Sequence, residues 1–282
     1  MLTDADRAFF DEHGYLVVRD LIPSEQVAAV VDAIWEFLDF DRHDPDDWYR
    51  EPHRTNGMVE MYHHQALWDV RQNPRVHALF ADLFGREDLW VFLDRANLKP
   101  PPSPDHPEYD HQGMVHWDID VRQQPLPFQV QGVLYLVDTN AGEGGFQCVP
   151  GVHRWVSEWA QGRPDEDIRD QQLHRRFADE LRPVVEVEAK AGDFIIWHSA
   201  LPHGNSRNRS DRPRLAQYVR CFPADLDNHD LRADRIQSWR ERAHPAFQNP
   251  RAFPGDPRRK EARHDPATLT PLGRRLLGLD VW

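Results

Sequence analysis

Between residues 89 and 222 the chain is cut into short apolar stretches, each closed within a few residues by Pro or Gly. Leu89-Trp90-Val91-Phe92-Leu93 runs on through Arg95-Ala96-Asn97-Leu98-Lys99 and stops at Pro100-Pro101-Pro102. The stretch 128–137 ends in a Gly-rich turn at 140–145, and Phe146-Gln147-Cys148-Val149-Pro150 ends at Gly151. Val184-Val185-Glu186-Val187-Glu188 alternates; after the Gly192-Asp193 turn come Phe194-Ile195-Ile196-Trp197 and finally 215–222. Short β-branched and aromatic runs between turn residues predict strands of a β-sandwich or barrel. The flanks read differently. Residues 4–13 predict a short helix ended by Gly14, Tyr15-Leu16-Val17-Val18 a strand, and Ser24 the start of a helix carrying Val27, Val30, Val31, Ile34 and Leu38 at helical spacing. A helix is predicted at 66–84 and another within 230–243, with polar, irregular stretches at 40–64 and 100–112 and a polar stretch of loop and helix at 153–181. The expected organisation is a single domain over 1–282: an N-terminal helical and lid region at 1–88, a β core at 89–222, and a helical tail at 223–282 packed on that core.

Charge narrows the partners. The 34 basic and 47 acidic residues leave a net charge of −13, with no dominant basic stripe, so a nucleic-acid partner is not expected. A small anion stays possible, because one buried Arg is enough to hold it. No apolar run reaches the roughly 18 residues of a membrane span, and the start Met1-Leu2-Thr3-Asp4-Ala5-Asp6 has no signal-peptide pattern. Two cysteines, Cys148 and Cys221, read as buried thiols of a reducing cytoplasm.

Inside the β region lies Gly113-Met114-Val115-His116-Trp117-Asp118-Ile119-Asp120. On an extended strand His116 and Asp118 project from the same face. Such a pair can hold two positions of one metal, and a third ligand from a distant histidine would complete the imidazole–carboxylate–imidazole set of non-haem iron(II) oxygenases. The spacing alone is weak. With 16 histidines among 47 acidic residues, roughly two or three His-x-acid matches arise by chance. Two occur. The other, His106-Pro107-Glu108, sits among prolines that disfavour a regular strand.

The third ligand has two candidates, His198 directly after the strand 194–197 and His203 in Leu201-Pro202-His203-Gly204-Asn205-Ser206. Gly204 would let its neighbour approach a metal without crowding. Arg214 follows His203 by eleven residues at the start of a strand, where a guanidinium inside a barrel makes bidentate pairs with carboxylates.

His116-x-Asp118, His203 and Arg214, in that order, resemble the phytanoyl-CoA hydroxylase-like family of iron(II)/2-oxoglutarate-dependent dioxygenases. Phe10 to Val18 resembles the family's helix-to-strand start, and 144–154 its Gly-rich turn ending in Pro-Gly-Ser-His, with Val152 in place of the commoner Ser. Gly192-Asp193-Phe194 matches the turn before the second metal histidine; the likeness spans about 9–222. It implies a mainly β fold, a double-stranded β-helix (a jelly-roll, cupin-like barrel) flanked by N-terminal helices and a C-terminal helical tail. It implies His116, Asp118 and His203 as Fe(II) ligands, in preference to His198, and Arg214 as partner of the C5 carboxylate of 2-oxoglutarate. Asn205 matches a polar contact position, and Lys99 and Tyr135 lie on strands that line the cofactor pocket in relatives.

The implied reaction consumes 2-oxoglutarate and O2, releases succinate and CO2, and hydroxylates a small-molecule metabolite. Related halogenases have a small residue where this chain has Asp118, so the carboxylate points to hydroxylation, with desaturation or ring formation as variants. The rival reading is a non-oxidative cupin-like binding protein, or a zinc hydrolase on the same three ligands; Arg214 has no part in zinc hydrolysis. A coenzyme A thioester is not expected, for want of a basic groove. Substrate identity and oligomeric state are not written in the sequence.

Overall fold

The computed structural model describes residues 1–170, 172–177, 179–180 and 183–282. In chain order the strands are β1 (Tyr15–Val18), β2 (Met58–Val59), β3 (Leu89–Val91), β4 (Ala96–Lys99), β5 (Val130–Tyr135), β6 (Phe146–Cys148), β7 (Val185–Glu186), β8 (Phe194–His198), β9 (His203–Asn205), β10 (Arg214–Val219) and β11 (Cys221–Pro223). The longer helices are α1 (Asp4–His13), α2 (Ser24–Leu38), α3 (Gln65–Arg71), α4 (Pro74–Phe84), α5 (Val156–Ala160), α6 (Asp165–Ile168), α7 (Leu173–Arg176), α8 (His229–Glu241) and α9 (Pro271–Leu277).

An antiparallel six-stranded sheet has the order β1-β8-β5-β10-β4-β2, and a three-stranded sheet the order β7-β6-β9. The segment at His116 extends the small sheet by bridging to His203 on the free edge of β9. The chain thus passes repeatedly between sheets: β4 large, His116 small, β5 large, β6 and β7 small, β8 large, β9 small, β10 large. This winding is the double-sheet, cupin-like arrangement that the resemblance implies.

Alternation along the strands sorts side chains between two cores. Val133, Tyr135, Ile195, Trp197 and Ala216 face the small sheet's Phe146 and Cys148, and the Phe146 and Trp197 rings lie 4.7 Å apart. Val130, Leu134, Phe194, Ile196 and Leu215 face the other way, onto Ile34, Leu67 and Phe80 of α2, α3 and α4. Both faces of the large sheet are covered, which is why its strands read as near-continuous apolar runs. α1 is held by a capping box, the Thr3 hydroxyl accepting from the Asp6 amide and the Asp6 carboxylate from the Thr3 amide, and it ends at Gly14 in the left-handed region.

Several expected elements are broken. The run 89–99 is two strands in different sheets, β3 pairing with β11 and β4 with β10 and β2. The helix expected at 66–84 is α3 and α4, because Pro74 cannot continue α3 and instead begins α4 behind an Asn73 cap. Within 113–120 only Val115 and His116 make bridges and Asp118 lies in a bend. Of 184–188 only β7 is paired, and Val185 is exposed. The stretch 40–64 contributes an edge strand, β2; Gln171, Ala178 and Leu181 of the stretch 153–181 lie outside the described residues.

Residues of the C-terminal tail contact the core and the N-terminal region. Arg235 of α8 is fully buried and donates to the carbonyls of Val91, Leu276 and Leu277. The Glu261 carboxylate accepts from the amides of Tyr62 and His63, each at 2.7 Å. Cys148 and Cys221 are buried free thiols. Among the described residues no helix is long and apolar enough to cross a membrane.

Gly132 on β5 is where the Phe194 ring crosses the sheet: a Cβ there would lie 2.2 Å from that ring and 3.0 Å from the Val219 carbonyl oxygen. Gly132→Ala is therefore expected to destabilise the fold by about 1–3 kcal/mol through overpacking, read as a lower urea midpoint with an unchanged slope.

Candidate metal centre and its cavity

His116 and His203 are brought together by their own backbones. Each amide donates to the other's carbonyl, His116 N to His203 O at 2.9 Å and His203 N to His116 O at 3.0 Å. One turn of chain further, the bend carries Asp118 back to the same side. His116 Nε2 lies 3.1 Å from Asp118 Oδ1, and His203 Nε2 3.3 Å from Asp118 Oδ2. Among the described residues this is the one cluster with metal-holding geometry, its ligand atoms all within 4.8 Å of one another. Two donors at about 2.1 Å from one metal, at right angles, stand roughly 3 Å apart, as these contacts do.

The protonation pattern asks for a cation. His203 Nδ1 donates to the Leu201 carbonyl at 2.9 Å, so a neutral His203 turns its Nε2 lone pair toward a carboxylate oxygen. Lone pair facing lone pair is repulsive unless a proton or a metal lies between. Burial opposes the charge on Asp118, but the contacts with His116 and His203 outweigh it and hold the carboxyl well below its usual range. The donor set fits a divalent transition metal with open positions. Gly204 has a different use from the one its position beside His203 suggested. A Cβ there would meet the Met114 carbonyl oxygen at 2.0 Å, so the glycine admits the neighbouring chain segment.

The triad opens into a cavity of about 420 Å³ between the sheets. Arg214 and Lys99 are register partners on β10 and β4, both buried. Arg214 Nε donates to the Gly144 carbonyl at 2.9 Å and Nη2 to Asn205 Oδ1 at 2.8 Å, which aims the fork. Arg214 Nη1 and Lys99 Nζ have no partner among the described residues. Burial, then the Arg214 charge, depresses the Lys99 ammonium well below its usual range. Two buried like charges without a counter-charge are costly, and an anion bound beside them would offset that cost. Tyr135 lines the cavity, but its hydroxyl is engaged, accepting from the Phe146 amide at 2.6 Å and donating to the Val187 carbonyl at 3.3 Å. Burial raises that hydroxyl to about 12. His111, also on the wall, is pushed down to about 4 by burial and by the Lys99 and Arg214 charges, so it stays neutral.

The competing candidates lie elsewhere. His198 Nδ1 accepts from the Ala200 amide at 3.0 Å, and its ring packs on His153 and Phe128. His106 stacks on Tyr49 at 4.8 Å. Two cavity residues escaped the sequence reading. Gln131 Nε2 donates to Asp118 Oδ2 at 2.6 Å, and Arg220 stands at the far end of the β10 line. Strand parity held the signal: Gln131, Val133 and Tyr135 alternate onto one face, as do Arg214, Tyr218 and Arg220.

Comparison with known proteins identifies the family. Residues 10–216 match the family Phytanoyl-CoA dioxygenase (PhyH). A putative phytanoyl-CoA dioxygenase of Dictyostelium discoideum is 23% identical, the match covering 82% of this chain and 79% of that protein. An ectoine dioxygenase of Sphingopyxis alaskensis is 24% identical, covering 75% and 73%. Among solved structures, the epimerase SnoN in complex with Fe3+, alpha ketoglutarate and nogalamycin RO superposes with a TM-score of 0.58 at 21% identity, covering 78% of this chain and 83% of that one. The chain belongs to the phytanoyl-CoA dioxygenase family, and with it to the 2-oxoglutarate-dependent oxygenases.

Gly204→Ala should push the segment 113–118 off β9 and separate His116 from His203. The expected result is at least a roughly tenfold loss of Co(II) affinity, measured by absorbance titration; unchanged affinity would show that the backbone pairing does not set the ligand spacing.

Proposed function

We propose that the protein hydroxylates a small-molecule metabolite, using Fe(II) held by His116, Asp118 and His203 together with 2-oxoglutarate and O2, and releasing succinate and CO2. The observation that carries this reading is the presence, in one cavity, of a three-donor set and a buried Arg214 guanidinium whose Nη1 has no partner among the described residues, with Lys99 beside Arg214 on β4. When bound, the iron and its cosubstrate supply the oxygen-activating chemistry; the chain supplies position and shielding. Arg214 takes the distal carboxylate of 2-oxoglutarate, with Lys99 beside it as a second cation. Gly144 and Asn205 keep the guanidinium fork aimed. Tyr135 serves by its ring, since its hydroxyl already ties β5 to β6. Gln131 fixes the rotation of the Asp118 carboxylate, and the Trp197 ring, 5.0 Å from that of His203, backs the ligand. With Asp118 filling the third protein position, no small-residue gap is left for a halide.

The zinc-hydrolase reading leaves Lys99 and Arg214 without a task. The segments 1–88 and 223–282 belong with the core as one catalytic domain, because Glu261 and Arg235 tie the tail to both. The buried free thiols Cys148 and Cys221 suit a cytoplasmic setting.

Protein loaded with Fe(II) and 2-oxoglutarate under nitrogen is expected to show a weak visible charge-transfer band. Its absence from folded, metal-replete protein would sink the oxygenase reading. Arg214→Gln should weaken 2-oxoglutarate binding roughly 100-fold, since it strips one partner from a buried charge pair, and His116→Ala should abolish substrate-dependent succinate release.

A further inference from the structure

Arg214, Tyr218 and Arg220 share one parity and all line the cavity, with Ala216 between them in the inter-sheet core. Six residues of near-extended chain separate the backbones of Arg214 and Arg220 by roughly 20 Å, placing the two residues at opposite ends of the wall. The other charges on that wall are matched. Arg95 is paired with Glu60 at 2.8 Å and lies 3.6 Å from Asp94, while Asp118 is held by His116, His203 and Gln131. Arg220 differs. Its Nη2 donates to the neutral Gln129 Oε1 at 2.8 Å, its Nε is buried without a partner, and among the described residues no carboxylate forms an ion pair with it, Asp118 and Asp94 acting on it only at longer range. Its guanidinium lies over the Phe92 ring, 5.5 Å from the centroid, and Phe92 packs edge-on against Phe253, 5.9 Å away; both rings line the same cavity.

We propose that Arg220 is the substrate anchor, and that the substrate is a carboxylic acid with an apolar body: its carboxylate pairs with Arg220 and its body lies along Phe92 and Phe253, toward the triad. A planar guanidinium with free donors suits a carboxylate better than a neutral amide. The proposal rests on the oxygenase reading above, which assigns the Arg214 end to 2-oxoglutarate and leaves the Arg220 end for substrate.

The test pairs apolar carboxylic acids with their primary amides. Each is titrated into Fe(II)- and 2-oxoglutarate-loaded protein under nitrogen, following perturbation of the visible band, and then followed in air by succinate release. In the wild type the acids should half-saturate at roughly 30-fold lower concentration than the matching amides. Arg220→Gln should erase that preference while 2-oxoglutarate alone still produces the band at its former half-saturation, and Arg220→Lys should recover part of it. Acids and amides acting alike on the wild type, or a preference that survives Arg220→Gln, would overturn the assignment. An altered 2-oxoglutarate titration in Arg220→Gln with the preference intact would do so too, marking Arg220 as a mere counter-charge to Asp118. Failure of 2-oxoglutarate to give any band in the wild type is a separate result, which strikes the oxygenase reading itself.

Discussion

The two candidate ligand histidines are hydrogen-bonded to each other through their backbones, and the site depends on that pairing. His116 lies on a segment with little regular structure of its own; His203 lies on a three-residue edge strand. Two reciprocal amide–carbonyl bonds fix their relative height, a third from the Met114 amide to the Asn205 carbonyl at 3.1 Å fixes the register, and the Gln147 side chain closes on the Met114 carbonyl at 2.9 Å. A slip of one residue would turn one imidazole to the opposite face. The approach is close enough that only glycine fits at 204. A metal would thus find its donors already set by main-chain geometry, with little ordering left to do on binding.

The same sheet edge organises the anion end. Asn205, the last residue of β9, reaches Arg214 on β10, and the Gly144 carbonyl in the turn before β6 reaches the same guanidinium. The small sheet therefore orients a cation that belongs to the large one. Metal donors and the Arg214 fork are held by neighbouring residues of one three-residue strand, so movement of β9 would disturb both together.

Much of this was legible in the chain. The strands around the cavity and the helical flanks follow from turn placement and parity, whereas the set His116, Asp118, His203 and Arg214 comes from the family resemblance, the His-x-Asp spacing being weak by itself. What escaped has physical reasons. Asp118 was expected on a continuous strand with His116, yet reaches the same side through a bend, because the segment makes only isolated bridges, Val115 to Gln172 and His116 to His203, and none beyond His116 among the described residues. His198 and His203 are indistinguishable locally, since both follow an apolar strand; the family resemblance favours His203, and the sheet order, which places His203 opposite His116, supplies the physical reason. The break between β3 and β4 is invisible in an apolar run that continues across a change of sheet. Gln131 and Arg220 were reachable by parity, but polar residues on a strand carry no mark of which neighbour they face until the partner strand is placed.

Net charge is the property that misleads most about this site. A chain at −13 suggests a protein that repels anions, and at its surface that holds, because ionic screening averages charges over about 10 Å. Inside the cavity the balance reverses. Arg214 hydrogen-bonds only a carbonyl and an amide, Arg220 hydrogen-bonds only a neutral amide while Asp118 and Asp94 act on it without pairing, and the one carboxylate at the triad is claimed by two imidazoles. Away from bulk water these few charges interact far more strongly than the many on the surface. On the reading proposed above, the cavity receives anions at two separated guanidiniums, Arg214 and Arg220, with the candidate metal ligands on the same cavity wall. A fold with charges so divided can select anionic ligands while carrying an overall charge of the opposite implication.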